Sequence, residues 1–193
     1  MTSEVTHAPP ERDCGAHTIA ENLKGTLGEG SDNPLIRDEC SQGRHEVRLE
    51  PICEMQLSYQ GGFSLVKPYG GEEGSGYGHG DGRAEGPRLS GAVQWANHPR
   101  RRSDGRMLPN AGGLVTTQDG ATVTFLMQGR TVFGQNAKGE RVGGQNIVMW
   151  FEAEDERYKW LNDAMCVVEG VIAGLGAIRF RVFECVNEFI EES

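Results

Sequence analysis

The sequence predicts an all-β fold: a single antiparallel β-barrel of about eight strands behind a disordered N-terminal leader. Three observations carry that expectation. Glycine is abundant, with 28 residues in a chain of 193, while apolar content is only 37 %. That pairing favours many turns and short strands over long helices. Apolar and polar residues alternate with period two in several segments after residue 45, which is the signature of strands with one buried face. Turn signals such as Asp119-Gly120 separate these segments at hairpin spacing. A sandwich meets the same pattern, but closure removes the unpaired edges that an open sheet must protect. The succession of hairpins, with Gly at strand corners, favours the barrel.

The elements follow in order. Residues 1–45 are rich in Gly, Pro, Ser, Thr and acidic residues with no sustained period. They are read as a disordered acidic leader, with at most a short helix around Ile19 to Leu23. Residues 46–193 form the barrel domain. "VRLEPICEMQLSY" is its first strand, with Pro51 marking a start or an edge. "GGFSLVKPYGG" is a short strand or turn. "GGEEGSGYGHGDGRAEG" reads as a flexible Gly-rich loop, and it lacks the Gly-Lys-Ser/Thr ending of a phosphate cradle. "PRLSGAVQW" is a strand with Leu89, Gly91, Val93, Trp95 and Asn97 on one face. "GLVTTQDGATVTFLMQGR" is a hairpin on a tight type I′ turn at Asp119-Gly120. "NIVMWFEAE" is another strand, and "DERYKWLND" one helical turn. "AMCVVEGVIAG" and "AIRFRVFECV" close the chain as a hairpin around Gly174 and Gly176.

Composition restricts function. The net charge of −9 and the pI near 5.1 argue against nucleic-acid binding, which needs a basic face. Arg100 to Arg102 lie between Pro99 and Asp104-Gly105, so they read as a solvated loop at one barrel end. The alternative makes that loop a lid drawing in an anionic ligand. No apolar run approaches the ~20 residues that cross a bilayer, and the N-terminus lacks the apolar stretch of a secretory signal. A cytoplasmic protein without a membrane role is expected. The five cysteines (Cys14, Cys40, Cys53, Cys166 and Cys185) include no CxxC pair, so neither a disulfide framework nor a zinc site is expected. Cys53, Cys166 and Cys185 read as small buried hydrophobes. No metal and no cofactor is implied.

Several segments together resemble one uncharacterised family, the domain of unknown function 3237. They are "LEPICEMQLSY", "GPRLSGAVQW", "LVTTQDGATVTF", Gly129-Arg130, "FEAEDERYKWLN" and "RFRVFE", spanning Leu49 to about Val186. The pairing of "EGPRLSG" with "RYKWLN" is the strongest match. The resemblance implies a small barrel similar to lipocalin-like and allene-oxide-cyclase-like barrels, and it brings no activity.

A barrel of this size holds one small ligand or is filled by side chains. Polar residues on apolar strand faces are therefore the candidate site. Glu169, flanked by Val167, Val168 and Val171, is the candidate general acid or base if its face points inward, where desolvation would raise its pKa. Its other reading is a cross-strand pair with Arg179 or Arg181. His98, at a strand end before Pro99, is the second acid/base candidate. Arg88 and Arg130 are suited to hold an oxyanion in a bidentate fork. Trp95, Trp150 and Trp160 would line an aromatic pocket or fill the core. Asn162 is a pocket polar group or a turn cap. The expected function is binding of a small apolar or aromatic molecule, with isomerisation or cyclisation of a polyketide-like compound by acid/base chemistry as its catalytic version. The alternative is a non-catalytic module with a filled barrel that assembles as a homodimer.

Overall fold

The first strand, β1 (Arg48–Val66), is long because its two halves serve two neighbours. Its first half pairs with β10 (Ile178–Val186) and its second with β2 (Gly74–Glu85), and this double pairing closes the sheet on itself. The structure is a computed structural model that describes residues 47–174 and 176–187; the expected leader lies outside them. Between β2 and β10 run β3 (Gly91–Asn97), two short strands β4 (Arg100–Arg101) and β5 (Met107–Leu108), then β6 (Asn110–Thr117), β7 (Thr122–Gln135), β8 (Arg141–Ala153) and β9 (Met165–Ile172). Every pairing is antiparallel, and eight strands form the closed barrel, in the cyclic order β1-β2-β3-β6-β7-β8-β9-β10. The fold is the expected one. Among the described residues no helix is long and apolar enough to cross a membrane.

Local structure departs from expectation at three places. Pro51 lies inside β1 rather than at its start, beside a register shift between Pro51 and Cys53. A bulge tolerates a residue without an N–H, and it turns Ile52 and Cys53 both into the core. The turn at Asp119-Gly120 is not type I′. Only Gly120 has a positive φ, 87°, and its N–H bonds the Thr117 carbonyl at 3.1 Å, so a type I turn is followed by a left-handed Gly. Asp119 stays in the ordinary region while its carboxylate accepts from the Thr117 hydroxyl at 2.5 Å and from Arg157 at 2.7 Å.

The largest correction is the Gly-rich "loop", which is strand β2. Gly74, Gly76, Gly78, Gly80 and Gly82 face inward, while Ser75, Tyr77, His79, Asp81 and Arg83 face out. The period-two rule holds with hydrogen as the inward side chain. A Cβ on Gly80 would stand 1.8 Å from the Ser58 carbonyl oxygen, and one on Gly78 would stand 2.4 Å from the Tyr59 ring. The bare strand lets β1 and its aromatic rings lie flat against it.

The two barrel ends differ. One end is filled by Ile52, Met55, Leu89, Val93, Phe125 and Phe151, with Leu161 from the 3-10 turn Lys159–Asn162 packed in as a plug. The other end, framed by the upper halves of β1, β2, β7 and β8, has glycines where the filled end has large side chains.

Candidate functional site

The open end contains a cavity of about 330 Å³. Its walls are apolar: Phe63 from β1, Pro99, Met107 and Pro109 from the β3–β6 connection, Phe133 from β7 and Ile172 from β9. The connection is a two-stranded ribbon, not a loose loop. β4 pairs with Gly74 and Ser75 of β2, and β5 pairs with Thr131 of β7, so the ribbon extends the barrel wall and turns two prolines and a methionine toward the space. Arg100 is paired with Glu73 at 3.0 Å and Arg102 with Asp104 at 3.1 Å; none of the three consecutive arginines lines the cavity. Arg141 stands among the lining residues, its guanidinium 4.7 Å from the Phe133 ring centre. A narrow space below, bounded by Trp95, Met127, Ile147 and Phe180, leads toward the core.

Besides Arg141, four uncharged polar side chains gather in this lumen: Tyr59, Asn97, Thr131 and Gln145. Asn97, Thr131 and Gln145 are buried, at 7 %, 2 % and 4 % exposure. Their hydrogen bonds have a fixed sense. The backbone N–H of Asn110, which can only donate, bonds Asn97 Oδ1 at 3.1 Å. Asn97 Nδ2 is therefore the end that meets Tyr59, donating to its hydroxyl oxygen at 3.0 Å. The Tyr59 proton is not used in that bond. Burial pushes the Tyr59 pKa up, partly offset by the Asn97 hydrogen bond. On β8, Gln145 Nε2 donates to the Thr131 hydroxyl at 2.8 Å, while Gln145 Oε1 has no partner. Trp95 Nε1, 4.6 Å ring-to-ring from Tyr59 in centroid distance, is also buried and unpartnered. A buried polar atom without a partner costs about 1–3 kcal/mol, and this lumen holds two of them.

The residues singled out in the sequence scatter around this lumen. Trp95 is buried and bounds its lower part. Glu169 is not inward. On β9 it is Cys166 and Val168 that are buried, and Glu169 stands exposed on the outer wall, paired with Arg181 at 2.9 Å. His98 is exposed and lies 5.1 Å from the Tyr77 ring on the outside; its backbone N–H, not its imidazole, does structural work by bonding the Asn110 carbonyl at 2.8 Å. Arg130 is exposed and bonds its neighbour's carbonyl at Gly129. Arg88 belongs to the filled end, where it pairs with Glu184 and covers the Trp160 ring at 3.9 Å. Asn162 clamps the end of β8, bonding both the N–H and the carbonyl of Ala153. Trp150 lies on the outer wall in a row with Leu126 and Met165, its register neighbours. Among the described residues no group of three His, Cys, Asp or Glu is placed to hold a metal ion.

Tyr59, Asn97, Thr131, Gln145 and Arg141 were not singled out by the sequence reading. The signal for Gln145 was present: it shares the face of Ile147, Met149 and Phe151, and a polar residue continuing a buried stripe marks the point where a core opens. Asn97 continues the Val93 and Trp95 face in the same way.

Comparison with known proteins agrees with this architecture. A family model described as a protein of unknown function, DUF3237, matches residues 47–185. No curated protein matches the chain. Among solved structures, a beta-barrel like protein from Acinetobacter baumannii AYE is similar at 18 % identity and a TM-score of 0.64, over 74 % of this chain and 98 % of that one. A protein with unknown function from Clostridium acetobutylicum is similar at 14 % identity and a TM-score of 0.65, over 75 % of this chain and 100 % of that one. A protein described as an enzyme from Penicillium herquei is similar at 19 % identity and a TM-score of 0.57, over 75 % of this chain and 99 % of that one. At these identities the likeness is one of fold.

Proposed function

The chain belongs to the DUF3237 family of unknown function, and from its lumen we propose that it binds a small, largely apolar or aromatic molecule, polar end first, in the open end of the barrel. The observation that carries this reading is the buried Gln145, whose Oε1 is unpartnered beneath a cavity of about 330 Å³ with apolar walls. That volume is at the small end of the range for sites that enclose drug-sized ligands, and a mostly apolar wall with a few placed polar groups is their usual make-up. The reading rests on binding rather than on turnover. Glu169 and His98, the two acid/base candidates, stand on the outer wall, and the described residues lining the cavity include no carboxylate and no imidazole. An isomerase or cyclase acting through those two groups has no support from their placement. A filled barrel also fits poorly, because packing is complete at only one end.

Native mass spectrometry of protein purified from its own host tests the proposal. A bound small molecule is expected on the wild type and lost from Ile172→Trp, whose indole would occupy the cavity. A wild type that carries no adduct, or an adduct retained by Ile172→Trp, would count against the lumen as the binding site.

A further inference from the structure

The direction of the hydrogen bonds in the lumen says which ligand groups it recognises; this step rests on the binding reading above. Asn97 is clamped by a backbone donor, so its amide cannot turn without losing the 3.1 Å bond from Asn110. It presents Nδ2 to Tyr59, and the phenol oxygen is occupied as an acceptor at 3.0 Å. The phenol proton then has no acceptor among the described residues and is free to be donated. The Gln145 amide is oriented differently: Nε2 is spent on Thr131 at 2.8 Å, and the free atom is the acceptor Oε1. Tyr59 and Gln145 line both the upper cavity and the narrow space beneath it. The free groups of the lumen are thus one acceptor, Gln145 Oε1, and two donors, the Tyr59 hydroxyl and Trp95 Nε1, all on residues that line the narrow space.

We infer that the ligand is an aromatic hydroxy-carbonyl compound, whose carbonyl oxygen accepts from the Tyr59 hydroxyl and whose phenolic or enolic hydroxyl donates to Gln145 Oε1. A simple hydrocarbon leaves both protein groups unsatisfied. A carboxylate ligand meets a donor at Tyr59 and a cation at Arg141 on the cavity wall, but it gives Gln145 nothing and places a second acceptor against Oε1. Discrimination by unpaired buried polar groups is strong for this reason. Asn97 is a positioning residue in this arrangement, since it sets the polarity of Tyr59.

The test is a matrix of four probes: 3-hydroxyacetophenone, acetophenone, 3-methylphenol and 3-ethyltoluene. Each is titrated into the wild type, Tyr59→Phe and Gln145→Leu by ligand-observed NMR and intrinsic fluorescence. The wild type should bind 3-hydroxyacetophenone tightest. Tyr59→Phe should weaken the two ketones by roughly 3–10-fold, the size of one hydrogen bond, and leave 3-methylphenol and 3-ethyltoluene unchanged. Gln145→Leu should weaken the two phenols by a similar factor and leave acetophenone and 3-ethyltoluene unchanged. A merely structural role for either residue would move all four probes together, and that pattern overturns the inference. Equal affinity of the wild type for all four probes overturns it as well, while the lumen remains a binding site. Failure of every probe to bind removes the lumen reading itself.

Discussion

Gln145 Nε2 donates to the Thr131 hydroxyl at 2.8 Å across the β7–β8 ladder, and the same amide leaves its oxygen unpartnered. The pair makes an asymmetric contribution to stability. Removing one member strands the other in a buried place, at a cost of about 1–3 kcal/mol. Removing both, with apolar groups of similar shape, also removes the orphaned amide oxygen. Thr131→Val alone should therefore destabilise the barrel by about 1–2 kcal/mol. The double variant Thr131→Val, Gln145→Leu should be at least as stable as the wild type. Urea denaturation of the wild type, single variant and double variant checks this, with a double variant less stable than Thr131→Val counting against it.

The same residues show how far the sequence could be read. Alternation placed Leu89, Val93 and Trp95 on one face, and hairpin signals placed the strand breaks, because both are local. Closure of β1 onto β10 joins residues more than a hundred positions apart, so no single segment carries it and only the cost of unpaired edges points to it. β2 gives no alternation signal because its inward residues are five glycines and Ala84, and a stripe almost without side chains has no hydrophobic signature. For Glu169 the sequence leaves an inward acid/base and a cross-strand pair both open, because β9 offers apolar residues on both faces; the burial of Cys166 and Val168 decides for the pair with Arg181. The lumen's Tyr59 lies past the last strongly alternating part of β1, where pairing passes from β10 to β2.

Glycines of β2 should separate into two kinds on substitution by Ala. At Gly80 the new Cβ would meet the Ser58 carbonyl oxygen at 1.8 Å, which is backbone and part of the β1–β2 pairing. Gly80→Ala should cost about 3 kcal/mol or more, at the upper end of overpacking penalties. At Gly78 the new Cβ would meet the Tyr59 ring, a side chain that can move, at 2.4 Å. Gly78→Ala should leave a folded barrel with Tyr59 displaced into the lumen and weaker binding of 3-hydroxyacetophenone. Thermal melts and the probe titration separate the two. Equal loss of stability at both positions would show that Tyr59 is not free to shift.

Neutralising the outer-wall candidates should leave binding alone. Glu169 and Arg181 form an exposed pair at 2.9 Å, with side chains 63 % and 58 % exposed, and such pairs contribute little to stability. Glu169→Gln and His98→Gln are expected to keep probe affinity within about twofold of the wild type, and Glu169→Gln to change stability by less than about 1 kcal/mol. Isothermal titration with 3-hydroxyacetophenone measures the first and urea denaturation the second. Weakened binding in Glu169→Gln would mean that the outer face of β9 communicates with the lumen.

Alkaline pH should destabilise the barrel through two thiols. Cys53 and Cys166 are buried in the core, and burial pushes both from 9.0 up to about 12. A folded-state pKa above the unfolded one means that the native form holds its proton more tightly. The stabilisation is therefore complete below pH 9 and is lost as pH rises through 9 toward 12. Tyr59, also raised by burial, adds to the same loss. The urea midpoint should fall from pH 8 to pH 10.5, and Cys166→Ala should flatten that fall while lowering stability at every pH through the lost packing. Alkylation at pH 8, followed by peptide mass spectrometry, should leave Cys53 and Cys166 unmodified until denaturant is added, because the thiolate is the reactive form and the native sites suppress it. Rapid modification of either thiol in the folded protein would place it in contact with solvent, contrary to the packing around Ile52 and Leu161.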